Sequence, residues 1–490
     1  MRTEDHTTSL SGSLSGSLPG VIPGPIARPL ATPAQCRTSG LRSPLGQARA
    51  KAADPPVPRL ARLALALLKR ATQGRLRLIT PEGQRREFGV DDPRIPCAEL
   101  HLKTWEVFER ALRRGDVGFG ESWMDDDWDS PDPVAVLRFM LKNRHTLDQG
   151  IYGTWLGQWI DRLRHLLHRN TRKGSRRNIA AHYDLGNDFY RLWLDPSMTY
   201  SSGLRAEKAG ACRPTATAPR AASARSSQFS AAEGTAAAAQ TLASSGAGED
   251  PLLEAQHRKY DRILDSLGLE RGAHILEIGC GWGGFAARAR RRGLLVSGLT
   301  LSAEQLAYCQ QLHASLAEPG QAHFALRDYR DEWGSFDAVV SIEMFEAVGE
   351  RYWSAYFSRV AERLRPGGQA LIQSITIEER NFLRYRAGTD FIQQYIFPGG
   401  MLPSAQRLVA VAQRHGLRLC DQLHFGPDYA WTLGLWRERF LARQPEVQAL
   451  GYDRRFRRMW DFYLAYCQAG FEEGATDVVQ FRFQKNAARS

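Results

Sequence analysis

Cysteine is scarce in this chain and scattered. Seven thiols, Cys36, Cys97, Cys212, Cys280, Cys309, Cys420 and Cys467, are spread over 490 residues. No two form a C-x-x-C pair, which excludes a disulfide scaffold and a cysteine zinc site. A reducing compartment fits best. Long apolar runs are missing too. No stretch approaches the ~20 residues that a membrane-spanning helix needs, and the segment 60–68 is short and flanked by arginine. An integral helical membrane protein is excluded, but a peripheral one is not. The N-terminus lacks a basic-then-apolar leader layout, and the cysteine usage makes a cytoplasmic location the expected one. Acidic charge is the minority sign, with 53 Asp and Glu against 65 Lys and Arg, a net +12. That balance favours an anionic partner: nucleic acid, an acidic lipid surface or a phosphorylated substrate.

Large apolar residues are also scarce in two segments. Residues 1–57 are Ser, Gly, Pro, Ala and Arg with the repeat SLSGSLSGSLPG. Residues 204–249 are rich in Ala, Ser, Gly and Thr. Neither can bury enough surface to offset its ordering entropy, so a disordered tail and a disordered insertion are expected. Between them, RLARLALALLKRA has helical spacing, GRLRLITPEG and AELHLKT alternate like strands, and TWEVFERALRRG reads as a helix ending at Gly115. After it, GFGESWMDDDWDS reads as two glycines and an acidic aromatic turn that docks domains, with no metal role. A small α+β domain over 58–145 follows from this pattern. Residues 146–178 form a basic connector around HRNTRKGSRRN. From 179 to 490 the expected architecture is α/β. HILEIG, LLVSGLTL, AHFALRD, FDAVVSI and QALIQSITI alternate with helical segments, which implies a parallel sheet covered on both faces. DVVQFRFQK is a late strand expected at the edge.

HILEIGCGWGG carries the first chemical signal. A strand ending at Glu277 and Ile278 runs into Gly279, Cys280, Gly281, Trp282, Gly283 and Gly284 before a helix. Glycines there let backbone approach a ligand at the carboxyl end of a strand. A dinucleotide site needs an acidic residue after the second strand, and LLVSGLTLS has none. For Gly283 and Gly284, helix–strand packing is as good an explanation as ligand binding.

E-I-G-C-G-W-G resembles the first motif of S-adenosylmethionine-dependent methyltransferases. HYDLGNDFYRLWLDPSMTYSS, SIEMFEAVGERYW, DFIQQYIFPGGMLPS, FGPDYAWTLGLWRERF and GDVGFGESWMDDDWDSPD further resemble the cyclopropane-fatty-acyl-phospholipid synthases and related fatty-acid methyltransferases, in order from about 59 to 485. The resemblance implies a Rossmann-like class I methyltransferase domain with a small N-terminal α+β domain. It implies S-adenosylmethionine held by Tyr183, Tyr200, Ser201, Glu277, Gly279, Gly281, Thr300, Leu301 and Gln305, with Asp328 and Tyr329 near the adenine. It also implies a catalytic bicarbonate pocket made by Glu346, Tyr429 and the backbone of Ile375. Two positions depart from the family pattern: Ser202 stands where relatives carry cysteine, and Gln373 where they carry histidine. His182 reads as structural.

The implied reaction is methyl or methylene transfer to the double bond of an unsaturated acyl chain in a membrane phospholipid. The product is a cyclopropane or a methyl-branched chain. Tyr190, Trp193, Phe345, Tyr395 and Phe397 are aromatic candidates for stabilising the cationic stage, each also explicable as core. The expected setting is the inner membrane surface, with no nucleic acid and with a homodimer left open. A methyltransferase on a soluble small molecule, and a non-catalytic lipid- or cofactor-binding descendant, remain as alternatives.

Overall fold

The computed structural model describes residues 57–92, 95, 97–151, 185–206 and 250–486. Nearly all of the expected tail and insertion, most of the basic connector, and His182 and Tyr183 lie outside the described residues.

Four short strands form the first sheet: β1 (Arg75–Ile79), β2 (Arg85–Gly89), β3 (Ala98–Leu102) and β4 (Trp128–Asp129), in the order β2-β1-β3-β4. The alternation of RLRLI buries Leu76 and Leu78 and leaves the arginines half-buried. The helix expected to stop at Gly115 does leave helical geometry there (φ 60°, ψ −135°), but it resumes at once, so Glu106–Met124 is two helices about a kink. GFGES is therefore helix rather than turn. Its glycines serve close packing: a Cβ on Gly120 would lie 2.4 Å from the Phe391 ring. The acidic residues that follow are ion-pair partners. Asp125 meets Arg110 and Arg455, and Asp126 meets Lys103 and Arg454. Trp123 donates its indole N–H to the Arg458 carbonyl. These contacts seat the small sheet's helices on the C-terminal helix Arg454–Glu472.

The second sheet has seven strands: β5 (His274–Ile278), β6 (Leu295–Thr300), β7 (Gln321–Leu326), β8 (Phe336–Ile342), β9 (Leu364–Ile377), β10 (Leu417–His424) and β11 (Thr476–Lys485). Their order is β10-β11-β9-β8-β5-β6-β7. The five from β5 to β9 are parallel. The near-continuous apolar runs of β5 and β8 suit strands buried on both faces, while β7 at the edge has no buried residue. β11 is antiparallel and lies one place inside the edge, between β9 and β10. Val478, Val479, Phe481 and Phe483 are fully buried, so β11 needs neighbours on both sides. The more polar β10, not anticipated from the sequence, takes the edge instead.

Candidate active site

The chain runs outward from β5 through β6 to β7, then returns to place β8 on the other side of β5. Strand order therefore reverses beside β5, where open α/β sheets bind ligands at the carboxyl ends of their strands. A cavity of about 330 Å³ lies there. Helical segments from the second half of the chain close it, contributing Tyr385, Ile392, Tyr429 and Tyr463 among others.

One end is built from backbone. Gly279 and Gly281 adopt left-handed conformations, φ 85° and 52°. A Cβ on Gly279 would come within 2.9 Å of Met344. Both glycines line the cavity, as do Glu277, Thr300, Leu301, Gln305, Asp328 and Tyr329. Glu277 is buried, which raises its pKa well above the ordinary value, and its Oε2 has no hydrogen-bond partner among the described residues. Thr300 accepts the Ser302 N–H and donates to Gln305 Oε1 at 2.8 Å. Ser302 in turn caps the helix Ala303–Ala314. A hydroxyl and amide network thus occupies the place of the missing acid after β6. The Asp328 carboxylate pairs through both oxygens with the Arg330 guanidinium. Gly283 has a packing reason, since His313 Nε2 would sit 2.9 Å from a Cβ there.

The other end is built from carboxylates, and its central residue, Glu343, was not among those expected from the sequence. It follows β8 directly and holds φ 51°, a strained setting for a residue with a side chain. Its Oε1 accepts the Ser202 backbone N–H at 2.9 Å and the Gln373 amide at 2.7 Å, while its Oε2 accepts the Tyr429 hydroxyl at 2.6 Å. Burial raises the pKa of Glu343, and the three hydrogen bonds oppose that rise. The Gln373 amide is oriented by Gln480, whose Nε2 donates to Gln373 Oε1 at 2.9 Å. Gln480 in turn accepts from Arg262 at 2.7 Å. Glu346 lies three residues on. Its Oε1 accepts the Ile375 N–H at 2.5 Å and the Ser374 hydroxyl at 3.1 Å, and its Oε2 is buried without a partner among the described residues. Burial, followed by the neighbouring Glu343 charge, pushes its pKa up to about 8. Glu346 is therefore largely protonated near neutral pH.

Glu346, Ile375 and Tyr429 line the cavity, whereas Ser202 and Gln373 are buried behind it and act on Glu343. The Ser202 hydroxyl is turned away, donating to the Gly203 carbonyl. Tyr200 and Ser201 line the cavity, and the Tyr200 hydroxyl shares a 2.6 Å hydrogen bond with that of Tyr463. Of the aromatic candidates only Phe397 faces the cavity. Tyr190, Trp193 and Phe345 are packed in the core, and the Tyr395 hydroxyl donates to Glu121 at 2.5 Å.

The family described as mycolic acid cyclopropane synthetase matches residues 170–210 and 240–481. The chain is 38% identical to a tuberculostearic acid methyltransferase of Mycobacterium tuberculosis, over 86% of this chain and 90% of that one. It is 31% identical to a cyclopropane-fatty-acyl-phospholipid synthase of Escherichia coli, over 79% and 88%. Among solved structures, a cyclopropane synthase of Mycobacterium tuberculosis superposes with TM-score 0.52 at 29% identity, covering 63% of this chain and 98% of that one. A mycolic acid cyclopropane synthase complexed with SAH and CTAB gives TM-score 0.51 at 31% identity, covering 63% and 98%.

Proposed function

The chain belongs to the mycolic acid cyclopropane synthetase family and is an S-adenosylmethionine-dependent methyltransferase of the cyclopropane and methyl fatty acid synthase kind; from that premise we propose that it modifies the double bond of unsaturated acyl chains in membrane phospholipids, with Glu343 as its base. The net charge of +12 supports an anionic bilayer surface as the place of action. Among the described residues no helix is long and apolar enough to cross a membrane.

The residues around the glycine loop fit the cofactor. Gly279 leaves room that a side chain would fill, and the unpaired Glu277 oxygen suits an ammonium group. Tyr200, Ser201, Thr300, Leu301, Gln305, Asp328 and Tyr329 complete the set, with Tyr183 from outside the described residues. When bound, S-adenosylmethionine supplies an electrophilic methyl group. An alkene needs no base to attack it, only alignment in a dry site. The carbocation that methylation would leave on a carbon of the acyl chain would face Tyr200, Phe397 and Tyr429 and the Glu343 carboxylate, which favour positive charge. Glu343 then takes the proton. Loss from the new methyl closes a cyclopropane, and loss from a chain carbon leaves a methyl-branched alkene. A carboxylate held by three hydrogen bonds selects one of these, so a single product is expected.

The observation that carries this reading is the direction of the donors. The Ser202 N–H, Gln373 and Tyr429 all point to Glu343, and the Ile375 N–H points to Glu346. The donor set implied for bicarbonate is thus taken up by the side chains of Glu343 and Glu346, and a further buried anion beside the Glu343 carboxylate would be repelled. Bicarbonate does not fit, and the chemistry needs none. The test is mass spectrometry of lipids from a host expressing the chain. A gain of one CH₂ in unsaturated acyl chains is expected. Unchanged acyl masses with folded, cofactor-bound protein would overturn the reading, and methylation of dispersed small molecules alone would move the substrate to a soluble one.

A further inference from the structure

Behind the cavity wall lies a buried lysine that the reaction described above does not use. Lys259, on the helix Pro251–Leu267, has no exposed surface. Its Nζ donates to two neutral oxygens, Ser201 Oγ at 2.6 Å and Gln256 Oε1 at 2.7 Å, and sits 4.4 Å from the centre of the Tyr260 ring. Burial drives its pKa down to about 7, against the pull of Glu343, Asp195 and Glu277. Gln256, one turn earlier on the helix, donates to the Ser201 backbone carbonyl at 2.9 Å. Ser201 is thus gripped at both of its oxygens from one helix. The next residue is Ser202, whose N–H holds Glu343.

For hydrogen bonding alone, a lysine is an expensive choice. A neutral donor would make such contacts without desolvating a charge. An ammonium is justified where buried negative charge must be kept, and the groups facing this site are carboxylates: Glu343 after β8, Glu277 on β5 and Asp195 before the T-Y-S-S loop. Glu343 itself is faced by Tyr429 from the helix Gly426–Ala442, by Gln373 on β9, by Glu346 and by Lys259. Resting on the reading of Glu343 as the base, we propose that Lys259 is a positioning residue for it. Its charge keeps Glu343 ionised in the closed cavity, and its grip on Ser201 holds the Ser202 N–H on that carboxylate.

The test is methyl transfer against pH, using the full chain, S-adenosylmethionine and vesicles of an unsaturated anionic phospholipid. The wild-type rate rises on the acid side as Glu343 ionises. Lys259→Met removes a positive charge and disfavours the carboxylate, so this limb moves up by about one pH unit. Below the limb the rate falls about tenfold, and it recovers in alkali. Gln256→Glu sets a carboxylate against the ammonium and moves the limb the same way with Lys259 in place, which keeps the test open if Lys259→Met does not fold. A uniform loss at every pH with the limb unmoved would overturn the proposal and leave Lys259 a structural residue. Glu343→Gln separates the two failures. If that variant keeps the wild-type limb, the base itself is misassigned. If it loses the limb while Lys259→Met and Gln256→Glu leave theirs in place, the Lys259 proposal alone falls.

Discussion

The two ends of the cavity are made in different ways. The glycine end is mostly local: Glu277, Gly279, Gly281, Thr300, Leu301 and Gln305 fall within one strand–loop–helix–strand–helix passage, and backbone conformation does most of the shaping. The carboxylate end is assembled from afar. Glu343 takes its donors from residues 141, 30 and 86 positions away. The first end depends on freedom of the main chain. The second depends on sheet register and on three side chains or amides converging on one carboxylate. The difference predicts that damage to the first end weakens cofactor binding, whereas damage to the second slows chemistry with the cofactor still bound.

The largest effect that tests this contrast is expected from Glu343→Gln. Loss of the base should cut turnover by ~10²–10⁴-fold, with cofactor affinity, read by calorimetry, changed little. Loss of both together would erase the contrast. Next is Glu346→Gln, read by denaturation. The pKa of Glu346 is raised from an ordinary 4.5 to about 8 by folding. The stability it lends is therefore full below the unfolded value and is lost as pH rises through the folded one. The glutamine variant should accordingly gain on wild type between pH 5 and 8 by about 4 kcal/mol and no further above that. A difference independent of pH would mean that Glu346 is ionised throughout. Gly279→Ala should weaken cofactor binding about tenfold, since alanine is strained at φ 85° and collides with Met344. Its turnover at saturating cofactor should stay near wild type. Smallest is Tyr429→Phe, which removes one donor of three and should cost turnover about threefold to tenfold, with cofactor affinity unchanged.

The same contrast explains which features are legible in the amino-acid sequence. The α/β alternation and the glycine loop can be read because each rests on a short run of residues, whereas Glu346 and Tyr429, which line the cavity, are reached through the motif resemblance. The interior position of β11 cannot, because a strand's neighbours depend on β10, whose polar pattern hides it. Glu343 is hidden for a related reason. In S-I-E-M-F-E-A-V-G it is one of two glutamates, and nothing local shows that Gln373 and Ser202 face it. A usable signal does exist. Ser202 and Gln373 depart together from the family pattern, and a paired change in one pocket is a signal to look for a third residue that meets both, as Glu343 does.

The central claim is that this carboxylate, and not a bound anion, takes the proton. The most direct measurement is the initial rate of methyl transfer to unsaturated phospholipid in carbonate-depleted buffer, followed by stepwise addition of bicarbonate. The account predicts full activity before any bicarbonate is added and a flat response afterwards. An enzyme that is slow when depleted and restored by bicarbonate would contradict it.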